Sequence, residues 1–235
     1  MKAKQRILLK LTGMLLEPQH EPLITNVLEN LAALRNTHQF GIVIGGGNFF
    51  RGRQHSNALG LRPTAGHTIG MLATLMNGVI LKDRMLQAGI PAHLLTAIAC
   101  DEVAQPISQH AIDNARNNDE TIIFAGGTGN PFFTTDTNAI LRALQMQADE
   151  VWKATNVDGI YTADPHTDTS ATIIKQLTHQ DALDRKIGIM DTTALTLAQE
   201  YKIPIRVFTL FQPNALLEIA QSPHIGSIIE TKDTL

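Results

Sequence analysis

A lysine inside an apolar strand is out of place, and Lys10 holds such a position in Leu8-Leu9-Lys10-Leu11-Thr12-Gly13. An ammonium there can meet phosphate oxygens while Thr12 and Gly13 offer N–H groups. The plainer alternative is an edge-strand lysine whose head reaches water. The stretch Gly41-Ile42-Val43-Ile44-Gly45-Gly46-Gly47-Asn48-Phe49-Phe50-Arg51-Gly52 suggests similar anionic chemistry, because a β-branched run stops at a glycine triplet. Glycine lets backbone approach a ligand closely. N–H groups at a strand end near a helix start favour an anion, and Arg51 adds a fork of donors suited to phosphate. A tight turn followed by a surface arginine would give the same string. Two familiar loops are excluded: no G-x-x-x-x-G-K-[ST] occurs, and Phe50 stands where the dinucleotide fingerprint needs glycine.

A second glycine cluster, Ala125-Gly126-Gly127-Thr128-Gly129-Asn130-Pro131-Phe132-Phe133-Thr134-Thr135-Asp136, again follows an apolar run and leads into a helical pattern. Small uncharged donors beside a helix N-terminus suit a planar base and a phosphate. A helix cap at Thr134, Thr135 or Asp136 is the simpler explanation, but it accounts for only one of these positions. A third segment runs from Lys153 through Thr155, Asp158, Gly159 and Tyr161 to Asp164, offering a strand-end lysine, an aromatic and carboxylates. It suits a second nucleotide with Tyr161 near a base; a turn at Asp158-Gly159 would also produce it.

These segments need a scaffold, and the chain is long and apolar enough for one, with 235 residues, 43% hydrophobic and 17% charged. Its net charge of −3 with neutral His gives no basic excess to favour nucleic acid or an anionic membrane. A single cysteine, Cys100, cannot form an internal disulfide and fits a reducing compartment. No signal peptide is indicated, and no apolar run approaches the ~18 residues of a membrane span, so a cytosolic protein is expected. The scattered histidines show no metal-ligand spacing.

Periodicity predicts strands over 6–11, 41–44, 92–98, 121–124, 150–154 and 205–210. Helical stripes lie between most of them: Ile24, Val27, Leu28, Leu31 and Leu34; Ile69, Leu72, Met76, Val79 and Ile80; a weaker one at Ile107, Ile112 and Ala115; and Ala139, Ile140, Ala143, Leu144 and Met146. Asp191-Thr192-Thr193 is a helix start. Alternation of this kind predicts an α/β fold with a parallel sheet covered on both faces. Residues 158–168 and 172–177 read as a loop with a hairpin.

Taken together, Lys10 and these segments resemble the bacterial uridylate (UMP) kinases of the amino acid kinase family. The resemblance runs through almost the whole chain, in stretches 7–13, 43–52, 70–78, 128–136, 153–159, 162–165 and 204–208. The most specific is Thr128-Gly129-Asn130-Pro131-Phe132-Phe133-Thr134-Thr135-Asp136. It implies an α/β fold of one domain over 1–235, a three-layer αβα sandwich with a mainly parallel central sheet. Within it, an acceptor-binding N-terminal lobe would cover about 1–148 and an ATP-binding C-terminal lobe about 149–235.

The activity implied is transfer of the γ-phosphoryl of Mg-ATP to UMP, giving UDP for pyrimidine nucleotide (CTP) synthesis. Mg²⁺ would come with ATP and not from a dedicated set of protein ligands. Lys10, Thr12, Gly13, Gly47, Arg51, Thr155, Tyr161 and Asp164 would hold ATP. Gly46, Arg51, His67, Thr128, Gly129, Asn130, Pro131, Phe132, Phe133, Thr134 and Thr135 would hold UMP. Lys10, Arg51, Asp136 and Asp191 would be catalytic, the two carboxylates orienting Lys10 or the metal. The resemblance also implies a homo-oligomer, a hexamer of three dimers, and raises GTP and UTP as effectors.

Two departures matter. His67 stands where the family carries an Asp that contacts ribose, and Met14 stands where it carries Glu. A neutral imidazole accepts from a hydroxyl less strongly than a carboxylate. These changes keep open a second expectation, a weak or inactive member that binds nucleotide or oxyanion for regulation or storage.

Overall fold

Nine strands form one twisted sheet, ordered β4-β3-β5-β2-β1-β6-β10-β11-β9, in a computed structural model that describes residues 3–163, 165, 167–222 and 224–231. The strands are β1 (Gln5–Leu11), β2 (His38–Ile44), β3 (Ala92–Thr96), β4 (Gln105–Pro106), β5 (Thr121–Ala125), β6 (Glu150–Thr155), β9 (Gln176–Thr178), β10 (Ile205–Thr209) and β11 (Ser227–Glu230). A separate antiparallel hairpin pairs β7 (Ile160–Tyr161) with β8 (Ile173–Ile174). Neighbours in the large sheet run parallel except β10 with β11.

Side chains alternate across β1, and each face has its own core. Ile7, Leu9 and Leu11 point into a cluster with α1 (Glu21–Leu34), α3 (Pro63–Gln87) and α8 (Ala215–Gln221). Leu8 joins the opposite cluster, covered by α4 (Gln109–Asn117), α5 (Thr135–Gln145), α6 (His179–Asp184) and α7 (Thr192–Glu200). The result is the αβα sandwich with a mainly parallel sheet that the sequence predicts. The short α2 (Gly52–Ala58) follows the glycine triplet and packs on α3.

Strand order reverses between β1 and β6: the chain leaves β1 for β2 on one side and later crosses to β6 on the other. In open parallel sheets the crevice outside the carboxyl ends at such a reversal receives ligands. β1 is therefore central, which removes the edge-strand alternative for Lys10.

One stripe reads differently in the fold. Leu72, Met76, Val79 and Ile80 of α3, expected to face the core, are each at least 36% exposed. The buried side of α3 is built instead from Ala73, Thr74, Leu75, Asn77, Gly78, Leu81 and Met85. Small residues are needed there because α3 presses on the glycine loops. A Cβ on Gly78 would come within 2.7 Å of Leu94. Alone among the described helices, α3 is long and apolar enough to cross a membrane, and it packs against β3 and β5 of the sheet. Residues 98 and 210 lie beyond β3 and β10, and β11 pairs in a register that periodicity does not show.

The turn after β1 is equally tight. A Cβ on Gly13 would fall 2.3 Å from Asn48 Oδ1 and 2.5 Å from the Gly45 carbonyl oxygen, whereas one on Gly47 meets nothing within 4 Å. Gly13→Ala is expected to lower unfolding free energy by about 1–3 kcal/mol, and Gly47→Ala to leave it within ~0.5 kcal/mol. Urea denaturation of both variants checks this; equal losses would contradict the geometry.

Candidate active site

Lys10 and Lys153 are direct partners in the register of the parallel pair β1–β6. Both alternate onto the α5–α7 side of the sheet, next to Leu8 and Val151. Between their ammoniums lies one carboxylate. Asp136 Oδ2 accepts from Lys153 Nζ at 2.5 Å, and Oδ1 lies 3.1 Å from Lys10 Nζ. Asp136 stands in the first turn of α5, where the helix dipole favours an anion.

Burial works against the Asp136 charge, but the nearby Lys10 and Lys153 charges outweigh it and hold the carboxyl below its ordinary value. Lys153 is pushed the other way. Burial first, then the like charge of Lys10, lower it to about 8, with Asp136 opposing. Lys153, a strand-end lysine in the sequence, belongs to the cluster although the family resemblance assigns it no role. Its signal was available: like Lys10, it interrupts an apolar strand, and the two line up once β1 and β6 pair.

Asp191 has a different task from Asp136. It caps α7 by accepting from the Ala194 N–H at 3.0 Å, and it receives the hydroxyls of Thr134 at 2.5 Å and Thr137 at 2.9 Å. Thr134 in turn caps α5, accepting from the Asp136 and Thr137 N–H groups. The Asp191 carboxylate thus ties two helix N-termini together and orients α5 rather than pairing directly with Lys10; its charge also reaches Lys153.

Two glycine-bearing loops flank this cluster. Asn77 is wholly buried and donates to the Gly45 carbonyl at 2.6 Å, while exchanging hydrogen bonds with Asn48. Gly46 lies against Ala73 and Thr74 of α3. Thr74 accepts from the Gly126 N–H at 3.0 Å, so α3 holds both loops. Gly129 has φ +81, where a side chain would be strained and would meet the Ala97 carbonyl at 2.9 Å. The buried Arg142 donates to the Gly127 carbonyl at 3.2 Å, and burial lowers its pKa to about 10.

Beyond Gly129 the loop turns outward. Thr128 and Asn130 bond to each other, and Phe132 and Phe133 are exposed. Phe132 has φ 72, an uncommon conformation for an aromatic. Its ring lies 5.0 Å from that of His67, in the first turns of α3. Pro131 and Thr135 complete this loop up to α5. Arg51 is exposed at the N-cap of α2, with no side-chain hydrogen bond or ion pair to a described residue. Its guanidinium is available to an anion.

A cavity of about 290 Å³ opens at the carboxyl ends of β1, β6 and β10, lined by Lys10, Thr12, Lys153 and Thr155 among others. Thr12 caps the turn that begins at Gly13, accepting from Met14 N–H at 3.4 Å. Tyr161 lines no part of this cavity and donates to Asp158 at 2.5 Å. Asp164 lies outside the described residues.

Among the described residues no three His, Cys, Asp or Glu side chains are grouped to hold a metal ion. Asp136 Oδ1 is buried and receives no well-directed hydrogen bond, although Lys10 is near. That lone oxygen fits a Mg²⁺ carried largely by phosphate oxygens, since such an ion needs only one or two carboxylates.

Two ammoniums on one carboxylate, glycine loops and a free arginine at a strand-order reversal define a site for phosphoryl transfer. The sequence profile of the amino acid kinase family matches residues 5–209. The chain is 43% identical over 232 residues to the uridylate kinase of Pseudomonas paraeruginosa, spanning 96% of this chain and 94% of that protein. It superimposes on the UMP kinase from Ureaplasma parvum with a TM-score of 0.91 and 30% identity, covering 97% of this chain and 100% of that one. The UMP kinase from Bacillus anthracis matches with the same TM-score and identity over 100% and 99%. The chain belongs to the amino acid kinase family.

Lys153 supplies a pH test of the cluster. Its folded pKa of about 8 lies below the ordinary 10.5, so between those values the unfolded chain holds a proton that the folded one has lost. This group therefore makes unfolding free energy rise as pH climbs from about 8 to 10.5. Lys153→Met should flatten that part of the profile in urea titrations at pH 7.5 and 10. An unchanged slope would show that Lys153 titrates normally.

Proposed function

We infer that this chain is a UMP kinase, transferring the γ-phosphoryl of ATP to UMP to give UDP and ADP in pyrimidine nucleotide synthesis. One observation carries the reaction class: Asp136 holds Lys10 and Lys153 together at the reversal between β1 and β6. The acceptor is supported by the relatives named above as uridylate and UMP kinases. The alternative of binding without turnover is not favoured, because the charged cluster is complete.

The acceptor phosphate monoester has a second pKa near 6. It is mostly a dianion at neutral pH and needs no general base. Its oxygen forms the new bond to the γ-phosphorus while the bond to the β–γ bridging oxygen breaks and ADP leaves. The difficulty is bringing two anionic groups together, so positioning and charge neutralisation dominate. Lys10 and Lys153 face the donor phosphates, with Thr12, Gly13 and Gly47 offering N–H groups. Arg51 grips oxygens where acceptor and donor meet. Gly46, His67 and the loop from Thr128 through Gly129, Asn130, Pro131, Phe132, Phe133 and Thr134 to Thr135 surround UMP. Thr155, Tyr161 and Asp164 belong to the donor side. When bound, Mg²⁺ spreads the charge of the donor phosphates, with Asp136 its protein contact.

In this reading acceptor binding falls within about 1–148 and donor binding within about 149–235, in the cytoplasm. The exposed stripe of Leu72, Met76, Val79 and Ile80 supports self-association, because monomers rarely leave such a patch uncovered.

Coupled ADP-release assays with UMP, CMP, dCMP and acetylglutamate test the acceptor, and UMP should be turned over fastest. Lys10→Ala should lower kcat by roughly a hundredfold or more. Arg51→Ala should raise the UMP KM by about tenfold or more. Wild-type rates in either variant would contradict these roles. His67→Asp tests the other departure: a carboxylate beside the acceptor should lower the UMP KM by roughly tenfold, and an unchanged KM would place the ribose away from residue 67.

A further inference from the structure

A buried cation sits behind the second glycine cluster without a carboxylate beside it. Arg142, in the last turn of α5, is 4% exposed. Its fork serves three neutral acceptors. Nε donates to Asn138 Oδ1 at 3.0 Å, Nη1 to Gln145 Oε1 at 2.6 Å and Nη2 to the Gly127 carbonyl at 3.2 Å. Burial lowers its pKa, and no nearby carboxylate opposes that. A buried charge without a counter-charge costs free energy. The C-terminal end of the α5 dipole offsets part of this. An apolar side chain of similar volume would fill the same space without the cost.

The guanidinium gives one peptide a fixed orientation. In a trans peptide the carbonyl and the N–H that follows it point opposite ways. Drawing the Gly127 carbonyl inward therefore turns the Thr128 N–H outward. That N–H has no acceptor among the described residues. The Thr128 hydroxyl is already committed: it donates to the Asn130 carbonyl at 3.1 Å and accepts from the Asn130 N–H at 3.2 Å. Gly126 and Gly127 stand at φ +75 and +60, and a chain this permissive does not hold the peptide by itself. Asp136 lies at the other end of α5, so one helix ties the lysine cluster to the loop.

We propose that Arg142 is a positioning residue for the acceptor: it holds the Gly127–Thr128 peptide so that the Thr128 N–H donates to an oxygen of the incoming nucleotide. Its unbalanced charge polarises that peptide and strengthens the donor. This rests on the acceptor reading given above and adds the residue that sets the geometry of the loop. Arg142 is buried behind the loop and acts through Gly127.

Titration calorimetry of the full chain with UMP alone and with Mg-ATP alone, followed by steady-state kinetics, tests the role. Arg142→Met should raise the UMP Kd and KM by about tenfold. The Mg-ATP Kd should stay within about twofold, and kcat at saturating UMP should fall by no more than about threefold. Arg142→Lys keeps the stem and the charge but cannot serve three acceptors at once, so it should raise the UMP Kd by only about threefold. It carries the test if Arg142→Met gives no folded protein, and a wild-type UMP Kd in that variant would then overturn the proposal. A UMP Kd unmoved by Arg142→Met, or UMP and Mg-ATP weakened equally, also overturns it, since a side chain that only supports the fold gives one of those results. A wild-type chain that binds UMP but forms no UDP would contradict the kinase reading and leave the role of Arg142 to be decided by the Kd values. A wild-type chain that binds no UMP overturns both.

Discussion

A single buried carboxylate shared by two ammoniums governs this molecule. Asp136 balances only one of the charges of Lys10 and Lys153, so the cluster carries an excess of positive charge in a place with little water. Burial first, and then the like charge of Lys10, accounts for the low value of Lys153. Burying an incompletely paired charge costs free energy in the empty protein, and an anion arriving beside the lysines relieves it. Phosphate binding is therefore favoured by a defect of the folded state and not only by contacts made on arrival. Asp136 itself cannot relax away, because Thr134 and Asp191 fix the helix turn that carries it.

The rest of the architecture can be read as the means of assembling that cluster. Two lysines far apart in the chain become neighbours because β1 and β6 pair in parallel register at the reversal of strand order. The carboxylate must come from a third element, and α5 supplies it from its first turn. α3 sets the other boundary by tying the loops at Gly45 and Gly126 to Asn77 and Thr74. This explains why its inner face mixes small and polar residues, Ala73, Thr74, Asn77 and Gly78, with Leu75, Leu81 and Met85, an arrangement that hydrophobic periodicity misreads.

What was legible in the sequence follows from the range of the signal. β1, β2, β5, β6 and β10 are apolar runs bounded by breakers, and they were readable within a few residues. β11 and the two-residue strands were not, because their pairing is decided by the sheet they join. The position of α3 is legible but its orientation is not, since Leu72, Met76, Val79 and Ile80 lie outside while Leu75, Leu81 and Met85 face the core. Lys10 and Asp136 stood out as charges in the wrong company. Lys153 interrupts its strand in the same way, but its pairing with Lys10 lies in a register that no local window contains. Asp191 was singled out, but its partners, Thr134 and Thr137, are more than fifty positions away.

The two sides of the site differ in how much of their geometry the fold dictates. On the side proposed for the donor, Lys10, Lys153 and Asp136 are held by strands and a helix start, so their positions are determined by the core. On the side proposed for the acceptor, Phe132 and Phe133 project from a loop whose turns depend on Gly126, Gly127 and Gly129 in left-handed conformations. In a reaction whose barrier is mainly electrostatic, the cations must be placed rigidly, because a charge that moves with the substrate stabilises the ground state as well as the transition state. In the proposed reading the acceptor side has the looser task of presenting one phosphate oxygen, so it can vary in residues such as His67 of α3 without disturbing the cluster. In that reading departures from a family pattern on this side bear on acceptor affinity, while the same degree of change at Lys10, Lys153 or Asp136 would alter the arrangement of two ammoniums on one carboxylate on which the site is built.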